Sequence, residues 1–362
     1  MKVVHIYWGL TFGGIETMLV NIANAQTAAG AKVYVVVIND YIEESLLNQL
    51  SSSIIVYKLN RKLASKNLFF VLKLNRILKL IKPDAIHLHD SRLYKLIFSR
   101  KLCQLSSVTL HALPSGNIKP TGLGRYFPLL SFASNGNVLF LDEIPQIFSI
   151  SEAVQKELYK KYSLKSTVIN NGIKTSSFIK KEKLKIDKSC FKVIQVSRLE
   201  HEIKGQDLLI KAASLHKNWL DITFIGNGKS MEYLKNLARQ LSVEQNVHFL
   251  GKRPQTYICD HLCDYDLFVQ ASRWEGFGLT VAEAMSANVP VLVSSGQGPA
   301  EVTCGSKFGW LFENGNAEDL AIQIDYIRNH YNEALNKAKA ALSYVCNIYD
   351  VSVTAKKYLE SY

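Results

Sequence analysis

The feature that most constrains this 362-residue chain is an alternation that runs along it twice. Short apolar runs at 3–8, 32–39, 54–59, 85–89, 107–111 and 148–149 are each followed by a polar or amphipathic segment. A second series, at 191–197, 220–225, 247–250, 267–270 and 289–294, does the same. Continuous apolar strands alternating with helical patterns belong to parallel sheets covered on both faces, because a parallel pair needs a crossover long enough to hold a helix. Between the series lies 180–188, KKEKLKIDK, which is charged, poor in apolar residues and suited to a linker. The reading is therefore α/β, with a first Rossmann-like domain at 1–180 and a second at 181–340. A last helical stretch, 341–362, returns to the first domain.

Composition removes several classes. With 48% hydrophobic and 20% charged residues the chain is neither disordered nor fibrous. No run approaches the roughly 18 apolar residues of a spanning helix, and the opening MKVVHIYWG reads as a strand, not a secretion signal, so a cytoplasmic location is expected. The six cysteines are scattered, as in reduced thiols, and the tight group Cys259, His261 and Cys263 lacks a fourth close ligand, so no metal is expected. Charge is lopsided: residues 1–185 hold 25 Lys and Arg against 11 Asp and Glu, the remainder 18 against 20. Twelve of those cations lie between Lys58 and Lys101, facing only Asp84 and Asp90. Such a patch suits an anionic membrane surface, a phosphorylated substrate or nucleic acid. The segment 66–82, KNLFFVLKLNRILKLIK, reads either as a basic amphipathic helix on lipid or as an ordinary crossover helix.

The stretch most able to carry chemistry is SRWEGFGLTVAEAM, 272–285. A strand ends just before it and a helix starts near Leu279, with Gly276 and Gly278 at the junction. The first N–H groups of that helix are then unpaired and can hold an anion. Glu275 and Glu283 accept hydrogen bonds from hydroxyls but repel phosphate, so they fit the sugar and ribose ends of a ligand. Arg198 at a strand end and Lys204 before another helix are placed to neutralise a diphosphate. Gly13 and Gly14 make a strand-to-helix turn without the dinucleotide fingerprint, which disfavours a nicotinamide enzyme. Gly226 and Gly228 form a second such turn. His87 and His89 share one face of their strand and His111 ends the next; ligands of parallel sheets gather at strand C-termini, which favours His89.

In order, the chain carries GG-x-E after its first strand, a strand ending in His-x-His, Asn-Gly-Ile, Arg-Leu followed by Lys-Gly, Gly-x-Gly, Phe-Leu-Gly, and Glu-x7-Glu with Glu-Ala-Met. This series, from Gly13 to about Val302, resembles the retaining glycosyltransferases of family 4, whose GT-B fold has two Rossmann-like domains with parallel sheets facing across a cleft. The resemblance implies that the Gly14 backbone approaches the donor diphosphate, that Arg198 and Lys204 bind its phosphates, and that Glu275 contacts the donor sugar. It also implies Glu283 on the ribose, a backbone cradle from Phe277 to Thr280, and His89 beside the reacting sugar. His111 and Arg125 are the acceptor candidates, near the loop 113–126. No cofactor or metal is expected beyond a nucleotide sugar; the other partners are a saccharide or lipid-linked acceptor and an anionic membrane surface, not nucleic acid. Ser197 and Asn288 stand where the family usually has Gly, which touches loop geometry only. Two alternatives stand beside this reading: another GT-B enzyme, such as a phosphorylase or sugar-nucleotide epimerase, and a non-catalytic basic membrane- or nucleic-acid-binding protein.

Overall fold

A computed structural model describes residues 1–11, 13–62, 65, 67–112, 140–182 and 185–362. Arg125 and the loop 113–126 lie outside the described residues. The chain divides into two units, Met1–Gly172 with Val351–Tyr362, and Ile173–Asp350. The division thus falls after Gly172, and the segment 180–188 belongs to the second unit, where the Ile179 and Lys181 N–H groups donate to the Cys259 and Ala287 carbonyls. The returning segment is the helix Val351–Ser361; the helix Tyr331–Ile348 stays in the second unit.

In the first unit, the described strands form a parallel sheet in the order β3-β2-β1-β4-β5-β6-β7. These are β1 (Lys2–Tyr7), β2 (Lys32–Asn39), β3 (Ile55–Arg61), β4 (Ala85–Leu88), β5 (Ser106–Leu110), β6 (Gln146–Ser149) and β7 (Thr167–Val168). One face packs Val4, Ile6, Ile86, Leu88 and Val108 against Leu74, Ile77 and Leu78 of the helix Phe69–Ile81. That helix follows edge strand β3 and leads to β4, so its inner face is the crossover helix the sequence allowed. The other face is covered by the helices Gly14–Ala28 and Val351–Ser361, with Met18, Ile22, Phe148, Val351 and Tyr358 in contact.

The second unit has the order β10-β9-β8-β11-β12-β13, again parallel. Its strands are β8 (Phe191–Val196), β9 (Leu220–Ile225), β10 (Val247–Phe249), β11 (Leu267–Gln270), β12 (Val291–Ser294) and β13 (Trp310–Phe312). The last strand had no sequence signal beyond three residues. Phe191, Val193, Phe224, Val269 and Leu292 form a core with the helices Gln206–Leu215 and Ala317–Asn329. In each sheet the order reverses once, between β1 and β4 and between β8 and β11. Such switch points open a crevice at the strand C-termini where ligands of open α/β sheets bind.

Candidate functional site

At the switch point of the second unit, the loop leaving β8 carries Arg198 and Lys204, and the loop leaving β11 carries Glu275. Lys204 Nζ meets Glu275 Oε2 at 2.5 Å, with both side chains mostly buried. Arg198 is 69% exposed and pairs with Glu200 at 3.2 Å, so its guanidinium is free to turn to a ligand. The two loops are locked together. The Arg273 guanidinium donates to both Asp207 oxygens, at 2.8 and 2.9 Å, and to the His201 carbonyl at 2.7 Å. Burial works to raise the Asp207 carboxyl, but the Arg273 fork and Lys211 outweigh it and hold it below the usual range. Gly205 sits at φ 66° against the Ala271 carbonyl, and Gly226 at φ 141° against that of Ser197; a Cβ on either would run into that oxygen.

Gly278, at φ 100°, caps the helix Leu279–Ser286 without a side-chain cap. The N–H groups of Leu279 and Thr280 have no backbone acceptor among the described residues, so they remain available to an anion. The preceding turn is held in place: the Gly298 N–H donates to the Glu275 carbonyl at 3.0 Å, and Gly298 packs too close to Gly276 to admit a Cβ. Phe277 is buried edge-on against Tyr349 and is a structural support whose backbone alone faces the turn. Thr280 Oγ1 donates to Gln270, while Gln270 Nε2 approaches Glu275. Glu283 is buried, accepts from Gln255 at 2.9 Å, and is pushed up to about 7 by burial, which that hydrogen bond only partly offsets. Arg198, Lys204, Gly226, Glu275, Gly276 to Thr280 and Glu283 therefore all belong to the second unit. Sequence reasoning missed Arg273, Asp207, Gln255 and Gln270; a glutamine closing a central parallel strand was the available signal.

At the switch point of the first unit, Gly13 precedes the helix Gly14–Ala28, and Glu16 in its first turn accepts from Thr11 at 3.1 Å. Burial raises the Glu16 carboxyl. His89 is buried, and both its ring nitrogens are engaged, Nε2 with His5 Nδ1 at 3.1 Å and Nδ1 with His111 Nε2 at 3.2 Å. His111 is half-buried and covers it. His5, which the sequence reading passed over, and His87 complete a column of four imidazoles. His5, His87 and His89 approach one another closely enough to suggest metal ligation. Their geometry does not fit it: the His87 and His89 rings stack 4.5 Å apart at 11°, so their in-plane lone pairs run side by side, and both His87 nitrogens are taken by Tyr362 and Thr109.

Outside these sites, the helix Phe69–Ile81 turns a mixed face outward. Phe69, Leu72 and Leu80 are 74%, 58% and 73% exposed, and the exposed Lys73, Arg76 and Lys79 lie among them. No helix among the described residues is long and apolar enough to cross a membrane.

Comparison with known proteins agrees with this geometry. Residues 12–177 match the model of Glycosyltransferase Family 4, and 176–342 that of Glycosyl transferases group 1. A Campylobacter jejuni N,N'-diacetylbacillosaminyl-diphospho-undecaprenol alpha-1,3-N-acetylgalactosaminyltransferase is 26% identical over 91% of this chain and 90% of its own. An uncharacterized glycosyltransferase of Haemophilus influenzae is 25% identical, with 88% and 87% covered. Anabaena HepE, solved with UDP and glucose, superposes with a TM-score of 0.78 at 21% identity, covering 100% of this chain and 99% of that one. WaaG, a glycosyltransferase involved in lipopolysaccharide biosynthesis, gives 0.68 at 17%, covering 98% of both chains. With the two family models together spanning 12–342 and both sheets parallel, the chain is a GT-B glycosyltransferase of the group 1, family 4 type.

Proposed function

We propose that this enzyme moves a sugar, with retention, from a nucleoside-diphosphate sugar to a saccharide or lipid-linked saccharide during assembly of a cell-surface polysaccharide. One observation carries the donor half of this reading. Arg198, Lys204 and the free N–H groups of Leu279 and Thr280 gather at one switch point with two carboxylates, Glu275 and Glu283. The cations and helix start suit a diphosphate, and the carboxylates suit hydroxyls on either side of it. Arrival of a donor exchanges partners: Lys204 leaves Glu275 for a phosphate oxygen, which frees Glu275 to accept from the sugar. Glu283 takes the ribose, and the turn from Gly276 to Thr280 with Gly226 shapes the backbone around the phosphates. Gly13 and Gly14 of the first unit are the remaining donor-binding candidates of this reading.

Breaking the bond between the anomeric carbon and the phosphate oxygen leaves a cationic sugar and new charge on the diphosphate. Arg198 and Lys204 stabilise that charge, with no metal in this reading. The acceptor hydroxyl attacks from the same face, and its proton passes to the departing phosphate oxygen, so configuration is kept. His89 acts near the reacting sugar through its contact with His111, and Arg125 is a further acceptor residue. The Campylobacter relative, named for transfer to an undecaprenyl-linked sugar, supports a lipid-linked acceptor. The outer face of the helix Phe69–Ile81 suits the anionic surface where such a lipid resides.

The test is a thermal-shift screen against UDP-, GDP-, ADP- and CDP-sugars in the presence of a chelator. A donor at 100 times its Kd stabilises by about 2.7 kcal/mol. A shift for one nucleotide class that Glu283→Ala abolishes supports the reading. No shift with any of them, in a folded protein, would refute it.

A further inference from the structure

Parallel strands covered on both faces are usually apolar on both. In the first unit, one face of the three central strands is not. Alternation places His5 and Tyr7 of β1, His87 and then His89 at the end of β4, and Ser107, Thr109 and then His111 at the end of β5 on the side away from Ile6, Leu88 and Val108. His5 and His87 are direct partners across the ladder. The imidazoles are hydrogen-bonded in series, and the series starts at an amide whose orientation sets the polarity of every later contact. The Gln26 amide offers its oxygen to His5 Nε2 at 2.8 Å and its nitrogen to the Tyr362 hydroxyl at 3.3 Å.

An amide oxygen only accepts, so His5 must carry its proton on Nε2 and leave Nδ1 bare. His5 Nδ1 then requires the proton of the next contact on His89 Nε2, which leaves His89 Nδ1 bare. His89 Nδ1 in turn requires the proton on His111 Nε2. The consequence at the outer end is a bare His111 Nδ1, which has no partner among the described residues. The Tyr362 hydroxyl, which accepts from Gln26, donates to His87 Nδ1, and His87 Nε2 donates to Thr109, itself bonded to Tyr358 at 3.0 Å. The series holds for neutral rings, and burial pushes all four down, His5 to about 4 and His111 to about 3. Among the described residues, the charged or titratable groups facing the column are Tyr7, Asp90, Tyr358 and Tyr362, and of these Asp90 works to charge His111.

We infer that Gln26 is a positioning residue: through His5 and His89 it fixes His111 in the tautomer with a bare Nδ1, which accepts a hydrogen bond from a saccharide hydroxyl. The hydroxyl half rests on the glycosyltransferase reading; the tautomer half does not. A simple structural role for Gln26 would affect stability and leave the choice of tautomer alone.

Nitrogen-15 spectra of the imidazoles at pH 7.5 separate the two halves, because they report which ring nitrogen is protonated without any turnover. The expected spectrum has His5, His89 and His111 each as the single Nε2–H form. In Gln26→Leu, which keeps the volume but removes the anchor, His111 should become a mixture of tautomers. In Gln26→Glu, whose carboxylate accepts from both His5 and Tyr362, the single form should return. A wild-type His111 protonated on Nδ1, or a His111 unmoved by Gln26→Leu, overturns the inference whether or not the enzyme transfers sugar. If Gln26→Leu does not fold, the wild-type and Gln26→Glu spectra decide alone, a mixed His111 in either being the overturning result. Glucose and N-acetylglucosamine are then added as hydroxyl probes. Movement of the His111 Nδ1 signal by either is expected; no movement by both removes the hydroxyl assignment and leaves the tautomer result standing.

Discussion

Acid should unfasten the first unit while tightening the site of the second. An unfolded histidine titrates near 6.5, whereas His5 is held down to about 4 and His111 to about 3 by burial. Between those values and 6.5 the unfolded chain binds protons that the folded one refuses, so stability is complete above about 6.5 and falls as the pH drops. At pH 5 the difference is about 1.5 pH units per ring, or about 2 kcal/mol each at about 1.36 kcal/mol per unit. His5 and His111 together therefore remove about 4 kcal/mol, out of the 5–15 typical of a domain. His87 and His89 push the same way. Glu16, raised by burial, opposes them in part. Glu283 has the opposite sign: with a folded value of about 7 against an ordinary 4.5, the folded form gains a proton the unfolded form lacks as pH falls from 7. At pH 5 this stabilises the second unit by up to about 2.7 kcal/mol. Hydrogen exchange read by mass spectrometry at pH 7.5 and pH 5, corrected for intrinsic exchange, measures each unit separately. Peptides covering β1, β4 and β5 should lose protection equivalent to several kcal/mol, while those covering β11 and the helix Leu279–Ser286 hold or gain. Unchanged protection of β1 and β4 at pH 5 would show that the imidazole column is not held neutral and would refute the reasoning.

Three further outcomes follow from the geometry. Arg198→Ala, at an exposed guanidinium with one loose partner, should leave stability nearly unchanged but slow turnover at least a hundredfold, the roughly 2.7–4 kcal/mol of one lost anion donor; a steady-state loss under about threefold contradicts the role. Gly205→Ala forces a Cβ into the Ala271 carbonyl at a positive φ and should lower stability by on the order of 1–3 kcal/mol in urea unfolding, together with nucleotide binding, since Lys204 is its neighbour; a neutral result would mean the loop reshapes freely. Replacing Leu72 and Leu80 together by Glu should abolish sedimentation with phosphatidylglycerol vesicles while leaving the fold intact, because both side chains point outward; equal binding by the double variant would disconnect this helix from membranes.

The strand alternation made most of both sheets legible, because short apolar runs recurred between helical patterns, while β13 left no such run. Ends were harder. β4 stops at Leu88 and β5 at Leu110, one residue short of the histidines that follow, although the His89 N–H still donates to the Ile6 carbonyl of β1. The donor residues were readable from local chemistry: glycines at strand ends, cations beside them, carboxylates eight apart. Contacts distant in sequence left no such trace. Arg273 with Asp207 and Gln255 with Glu283 are ordinary polar residues until the fold joins them. His5 is the instructive case. Read along the chain it is one histidine in an apolar strand, and only the register that sets it opposite His87 shows that three strands share one imidazole face. The helix Phe69–Ile81 is the crossover helix the sequence allowed, and its outer face is basic and apolar.

The place of the helix Val351–Ser361 sets a schedule for biosynthesis. This helix covers the histidine face of the first sheet, and its Tyr358, with Tyr362 just after it, holds the inner end of the column, yet the whole second unit is translated before it. At roughly 5–20 residues per second, the ribosome takes on the order of ten to forty seconds to pass from Ile173 to Asp350. Through that interval the earliest-made strands wait with a polar, half-finished surface, while the later-made unit already has every residue it needs. The usual order of domain maturation is thereby reversed: the second unit has all of its residues before the first unit has its last helix.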